Sequence, residues 1–131
     1  MALVSFLAAV DTKLKTLATR VYYGDVIDPT TPIPYTTWKY TSTIDVETME
    51  DFIIEVEFTD TLANATRIET AVAAVDGDGN TTNPTGLNYF NYGAGGTPSF
   101  LMYRINRLAL PALDENILRR QLRYRVRVFS L

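Results

Sequence analysis

The residue types best suited to chemistry are either missing from this chain or arranged for another purpose. Its 131 residues include no histidine and no cysteine. That excludes thiol nucleophiles, disulfides, haem ligation, Cys/His zinc sites and Ser-His-Asp catalysis, and leaves carboxylates, amines, hydroxyls and backbone. The acid pair Asp114-Glu115 lies in the turn Pro111-Ala-Leu-Asp-Glu-Asn with no second acid pair nearby in sequence, so turn chemistry accounts for it better than general acid–base work. Asp76-Gly-Asp-Gly-Asn begins like a calcium loop, but its sixth position is Thr81 rather than glycine and its twelfth is Leu87, where a bidentate Glu is required. Gly93-Ala-Gly-Gly lacks a Lys-Ser/Thr pair and no helix follows it, so it reads as a flexible tip and not a phosphate loop. Asn64-Ala-Thr66 fits a glycosylation pattern, which has no meaning without secretion. No catalytic residue, metal site or cofactor is expected, and an enzyme is disfavoured.

The residues that do stand out are charges in rows. In the final strand, Ile117 to Leu131, the odd positions Arg119, Gln121, Arg123, Arg125 and Arg127 form a basic row. Its even positions Leu118, Leu122, Tyr124, Val126 and Val128 form an apolar row that only Arg120 breaks. A period of two places four arginines on one face. Four like charges in a row repel unless something neutralises them. The strand Phe52 to Phe58 has the same period, with Phe52, Ile54, Val56 and Phe58 on one face and Glu55 and Glu57 on the other. Those two carboxylates can oppose the arginines across strands of one chain, or between subunits of a ring, and the residues leave both readings open. About fourteen strand residues run about 45 Å, which leaves room for part of the last strand to reach beyond its own domain. Tyr89, Phe90 and Tyr92 sit in a Gly/Asn-rich segment, where exposed aromatics often anchor a partner. The bland alternative is that they fold back on the domain.

The elements that position these rows follow from periodicity. Leu3, Leu7, Val10, Leu14 and Leu17 recur at helical spacing, predicting an amphipathic helix over Leu3 to Ala18. Arg20-Val-Tyr-Tyr-Gly predicts a short strand. Asp28-Pro-Thr-Thr-Pro-Ile-Pro, with three prolines in seven residues, must be an extended loop. Tyr35 to Ser42 is a strand with Trp38 and Tyr40 on one face, and Ser42 to Asp51 is a hairpin connection. Thr59 or Asp60 is placed to cap a second helix carrying Leu62, Ala65, Ile68, Val72 and Val75, which Asp76-Gly77 stops. Residues 76–99 read as a long flexible loop, and Phe100 to Leu110 as the strand before the last. The order α-β-β-β-α-β-β predicts a single α+β domain over 1–131, mainly an antiparallel sheet of about five strands with two helices packed on one face. The composition, 47% hydrophobic and 21% charged, is that of a folded soluble chain. No stretch is apolar enough to span a bilayer, and the amino terminus lacks the leading positive charges of a secretory signal, so no membrane and no export are expected. The net charge of −3 conceals a division: 13 acidic and 5 basic residues through Gly95, against 2 acidic and 7 basic from Gly96 onward. A protein-wide basic field of the kind that drives DNA binding is absent.

The succession of an N-terminal amphipathic helix, Arg20-Val-Tyr-Tyr-Gly, a Pro-rich loop to Pro34-Tyr35, a strand-to-helix unit from Ile53-Ile-Glu-Val-Glu-Phe through Ala71-Val-Ala-Ala-Val and an Arg-rich final strand resembles the tail terminator, or tail completion, proteins of long-tailed bacteriophages. The resemblance covers most of the chain and consists of patterns rather than invariant catalytic residues. It implies a small α+β structural protein of the virion, sited at the tail-neck region and assembled in the host cytoplasm. It further implies a homo-oligomeric ring, commonly a hexamer, that stops tail-tube polymerisation. Such a ring meets the tail tube protein on one side and a head-completion or connector protein on the other, and DNA can pass through its lumen. A head-tail connector or neck adaptor is the competing reading. A nucleic-acid-binding module using the arginine strand is a third, weakened by the net charge and by the position of Tyr124 on the opposite face.

Overall fold

The computed structural model describes residues 2–24, 30–41, 51–93, 100–111 and 114–129. Helix α1 (Ala2–Leu17) leads to β1 (Val21–Tyr23), β2 (Tyr35–Thr41) and β3 (Phe52–Thr61). A 3-10 turn (Leu62–Asn64) then enters α2 (Ala65–Asp76), followed by β4 (Asn91–Tyr92), β5 (Phe100–Leu110) and β6 (Ile117–Val128). The strands form one six-stranded sheet in the order β1-β2-β3-β6-β5-β4. The hairpin connection expected over Ser42 to Asp51 lies almost wholly outside the described residues, as do the first two residues of the Pro-rich loop, the Gly-rich tip beyond Gly93 and the last two residues of the chain.

Alternation decides the sheet. Phe52, Ile54, Val56 and Phe58 of β3 stand opposite Val126, Tyr124, Leu122 and Arg120 of β6, so the apolar rows of the two strands share one face. Both helices pack on that face. Phe6, Val10 and Leu14 of α1 and Ile68, Val72 and Val75 of α2 join Trp38, Phe52, Ile54, Val56, Met102 and Tyr124 in one buried core. Phe6 is its aromatic hub, stacked on Phe100 at 4.6 Å and edge-on to Phe52 at 6.3 Å.

Four features depart from expectation. The sheet has a sixth strand, the two-residue β4, inside the segment predicted as a loop. β1 runs parallel to β2, because the proline-bearing segment carries the chain back to the end where β1 began; Thr36 N–H donates to Arg20 O at 3.1 Å and Gly24 N–H to Trp38 O at 2.9 Å. Neither Thr59 nor Asp60 caps α2. β3 continues through both, and the helix begins after the 3-10 turn with Asn64 as its N-cap, making no side-chain cap bond. Finally, β6 does not leave the domain: β3 pairs with it on one side and β5 on the other along nearly its whole length.

The chain leaves α2 through Gly77, whose φ is +91° and whose N–H donates to Ala73 O at 2.9 Å. A Cβ there would lie 2.4 Å from Gly86 N, so only glycine lets residues 77 and 86 approach. Leu87 N–H closes this turn on Val75 O at 2.7 Å and buries its side chain completely.

Candidate interaction surfaces

On the face away from the helices, the two charge rows read from sequence meet. Register sets Glu55 opposite Arg123, Glu57 opposite Gln121 and Thr59 opposite Arg119. Glu55 Oε1 lies 3.4 Å from Arg123 Nε, an ion pair without hydrogen-bond alignment. Glu57 accepts diagonally from Arg119 at 3.0 Å and from Gln121 Nε2, directly opposite, at 3.1 Å. These pairs lie within one chain, so the cross-strand reading describes Glu55, Glu57, Arg119 and Arg123. Asp51 completes the row, accepting from Arg125 Nε at 3.0 Å and facing Arg127 Nε at 3.8 Å. Sequence reading placed Asp51 in a connection; its odd parity with Ile53, Glu55 and Glu57 is the signal that assigns it to the same face. Arg125 and Arg127 remain about half exposed, and the Arg127 guanidinium lies 5.9 Å from the ring centre of Phe129, itself exposed.

The helix-covered face carries polar groups of a different kind. Asp60, 1% exposed, accepts both Arg67 nitrogens at 2.6–2.7 Å and the Thr61 N–H at 2.7 Å, and the Arg67 bonds hold its carboxyl below the usual range. Asp76 accepts the Tyr124 hydroxyl at 2.9 Å and Arg104 Nη1 at 2.7 Å, tying the end of α2 to β6 and β5. Burial, reinforced by the Asp76 charge, pushes the Tyr124 hydroxyl pKa up. Glu69 on α2 accepts from Arg120 at 2.8 Å and from Arg107. Burial pushes its carboxyl up, but those two arginines outweigh it and hold it low. Arg120, the one break in the apolar row of β6, is thereby explained as the partner of Glu69.

At the β1 end of the sheet, α1 and the strands leave an open groove of about 590 Å³, with Val4, Leu7, Tyr22, Tyr23, Trp38 and Tyr40 among its walls. Tyr23 stands edge-on to Trp38 at 4.9 Å. Trp38 Nε1 donates to Asp11 Oδ1 at 3.0 Å, and Lys15 Nζ lies 2.7 Å from Asp11 Oδ2. Burial pushes the Asp11 carboxyl up, and these two donors more than reverse it. Because Arg20 O and Gly24 N–H turn toward β2, the alternation leaves the backbone groups of Val21 and Tyr23 facing the open edge. Nothing in the sequence patterns marked this groove; the exposed Tyr22-Tyr23 pair after an amphipathic helix is its only trace.

Of the loop aromatics, Phe90 and Tyr92 fold back on the domain and stay partly buried: they pack against Phe6 at 6.4 and 6.3 Å, and Phe90 O accepts from Met102 N–H at 2.9 Å. Tyr89 is half-buried at a positive φ of 69° between them and Asn88. Within the segment read as a loop, turns lead from α2 to Asn88, Phe90 and β4, which bond to β5. Phe6 lies four residues before Val10 and eight before Leu14, on the same buried helical face, but a stripe read from leucine and valine alone passed over it.

No family model matches the chain, and no curated protein matches it. Among the described residues, no helix is long and apolar enough to cross a membrane.

Proposed function

We propose that this chain is a structural virion protein, a ring-forming tail terminator that caps the tail tube and joins the tail to the head connector. The observation that carries the reading is the aromatic groove beside β1. It joins exposed Val4, Tyr22 and Tyr23 to a strand edge that no other described strand pairs with, while Asp11, the carboxylate on its wall, is already held by Trp38 and Lys15. A surface of that composition suits burial of another protein's side chains and addition of an extended segment more than it suits a reaction. The order of elements that resembles the terminator family supports the same reading. A ring needs a heterologous interface whose rotation closes, and so two unlike surfaces on one subunit. The groove at the β1 edge and the β5 edge, with Ile105 and Leu108 exposed, are unlike one another.

The test is the solution mass by light scattering, with negative-stain images. A closed ring of about six subunits is expected. A strict monomer at all concentrations overturns the terminator reading in favour of a neck adaptor that assembles only on a template. For DNA, the intramolecular carboxylate partners of the β6 arginines predict no binding at low salt; a steep salt-dependent affinity would support the nucleic-acid module instead.

A further inference from the structure

The charge ladder on the open face is neutralised along its middle and unbalanced at its two ends. At the C-terminal end of β6, Arg125 and Arg127 face Asp51 at 3.0 and 3.8 Å, so among the described residues two positive charges meet one negative charge. Both guanidinium groups stay about half exposed, with the exposed ring of Phe129 beside them. At the other end, the turn before β6 presents Asp114 and Glu115, both exposed. Asp114 Oδ1 accepts the Asn116 N–H at 2.8 Å and its main-chain oxygen accepts the Ile117 N–H at 3.0 Å, so the turn is shaped by its own bonds. Neither carboxylate meets a cation among the described residues.

These ends cannot neutralise each other within one chain. β6 is 12 residues long, and at about 3.3 Å per residue that separates them by roughly 35 to 40 Å, several times the screening length of about 8 Å at physiological salt.

We infer that the two ends meet between copies: the Asp114-Glu115 turn of one chain seats on Arg125, Arg127 and Phe129 of the next. The inference rests on the ring reading and names one contact of that assembly. Charge complementarity selects a second copy as the occupant. The turn carries two carboxylates where the described residues of the patch have one cation in excess, and the β6 strand that ends in one surface begins at the other, so every copy offers both. A nucleic-acid backbone is the poorer match, since the chain through Gly95 carries 13 acidic residues against 5 basic ones and repels phosphate. A contact of one surface with a different surface is heterologous and extends from copy to copy until it closes. Exposed charges of this kind set partner choice, on-rate and salt sensitivity more than raw affinity.

The experiment compares the full chain, R125E/R127E, D114K/E115K and the fourfold swap by light scattering at low and high salt, with thermal melts to verify folding. Each one-sided double reversal is expected to weaken association roughly tenfold or more, and the fourfold swap to recover most of it. Association of the parent should weaken as salt rises. The contact is overturned if folded one-sided reversals assemble like the parent, or if the folded fourfold swap stays dissociated. A parent that is monomeric at every concentration sinks the ring reading together with the contact, whereas a parent ring indifferent to all reversals sinks the contact alone. Binding of a labelled DNA duplex that R125E/R127E abolishes and D114K/E115K leaves intact would assign the patch to phosphate and overturn the inference.

Discussion

On the helix-covered face of the sheet, two carboxylates that tie α2 to the strands, Asp60 and Asp76, are buried, while the Glu69 pairs with Arg107 and Arg120 stay partly exposed. Asp60 on β3 holds Arg67 on α2, and Asp76 at the end of α2 holds Tyr124 on β6 and Arg104 on β5. On the open face, Glu55 and Glu57 hold Arg123 and Arg119 on the strand immediately beside them, and every member is partly wet. The side chain of Asp60 is 2% exposed, against 20% for Glu57 and 18% for Glu55. The same chemical pair therefore serves different ends on the two faces. Under the helices it fixes how α2 lies on the sheet; on the open face it compensates a row of arginines and favours one register. Only the second kind can be exchanged for a pair with a neighbouring molecule without exposing a buried charge.

The largest effect that would sharpen this contrast lies in the covered core. Phe6→Ala should cost about 3–5 kcal/mol, because the hub of four aromatic contacts is lost and α1 has no other large buried ring. Urea unfolding measures it, and a loss under about 1 kcal/mol would mean that α1 is not seated on the sheet. Next comes Asp60→Asn, which leaves Arg67 without its counter-charge and should cost about 1–3 kcal/mol at neutral pH. The effect carries its own pH signature. Asp60 is held below its ordinary value of 3.8 in the fold, so the unfolded chain takes up its proton first as pH falls. The stabilisation is full above about pH 5 and disappears as pH drops through the folded value. The parent and the variant should accordingly converge as pH falls through that lowered folded value. Glu69 and Asp11 are depressed in the same direction, so the variant keeps part of the parent's acid lability. A stability difference between parent and variant that does not narrow as the medium is acidified below the ordinary value of 3.8 would contradict the assignment.

Tyr124→Phe tests the same face with a smaller change. It removes one hydroxyl from a fully buried ring and leaves Asp76 with Arg104, for an expected cost of about 1–2 kcal/mol. A neutral result would show that Arg104 alone satisfies Asp76.

How far the sequence announced these two faces differs from element to element. Alternation in Phe52–Phe58 and along the last strand told which side chains share a face, since a period of two is a property of the strand itself. It could not tell which strand lies next to which, and so the intramolecular match of Glu55 with Arg123 had to come from the register. The parallel pairing of β1 with β2 was hidden for a related reason: direction is set by the path of the proline-bearing segment, not by the strand's residues. The bulge between Arg104 and Asn106 reverses facing partway along β5, placing Arg104 toward Asp76 and Asn106 opposite Arg123, and no periodicity foretells such a shift. The aromatic groove was missed because it is made by a helix, a three-residue strand and β2 together, each unremarkable alone.

The smallest expected effect is the one that most directly tests the open face. Glu55→Gln removes the partner of Arg123 but leaves both groups in reach of water, so it should cost no more than about 1 kcal/mol. Screening distinguishes the faces further. In about 1 M salt, where the screening length falls to about 3 Å, the penalty of Glu55→Gln should shrink toward nothing, while that of Asp60→Asn should persist because its carboxylate is shielded from ions by the helix above it. A Glu55→Gln penalty of 2 kcal/mol or more that survives high salt would place the open-face ladder among the pairs that hold the fold, and the arginines of β6 would then be too deeply committed within one chain to be shared with another.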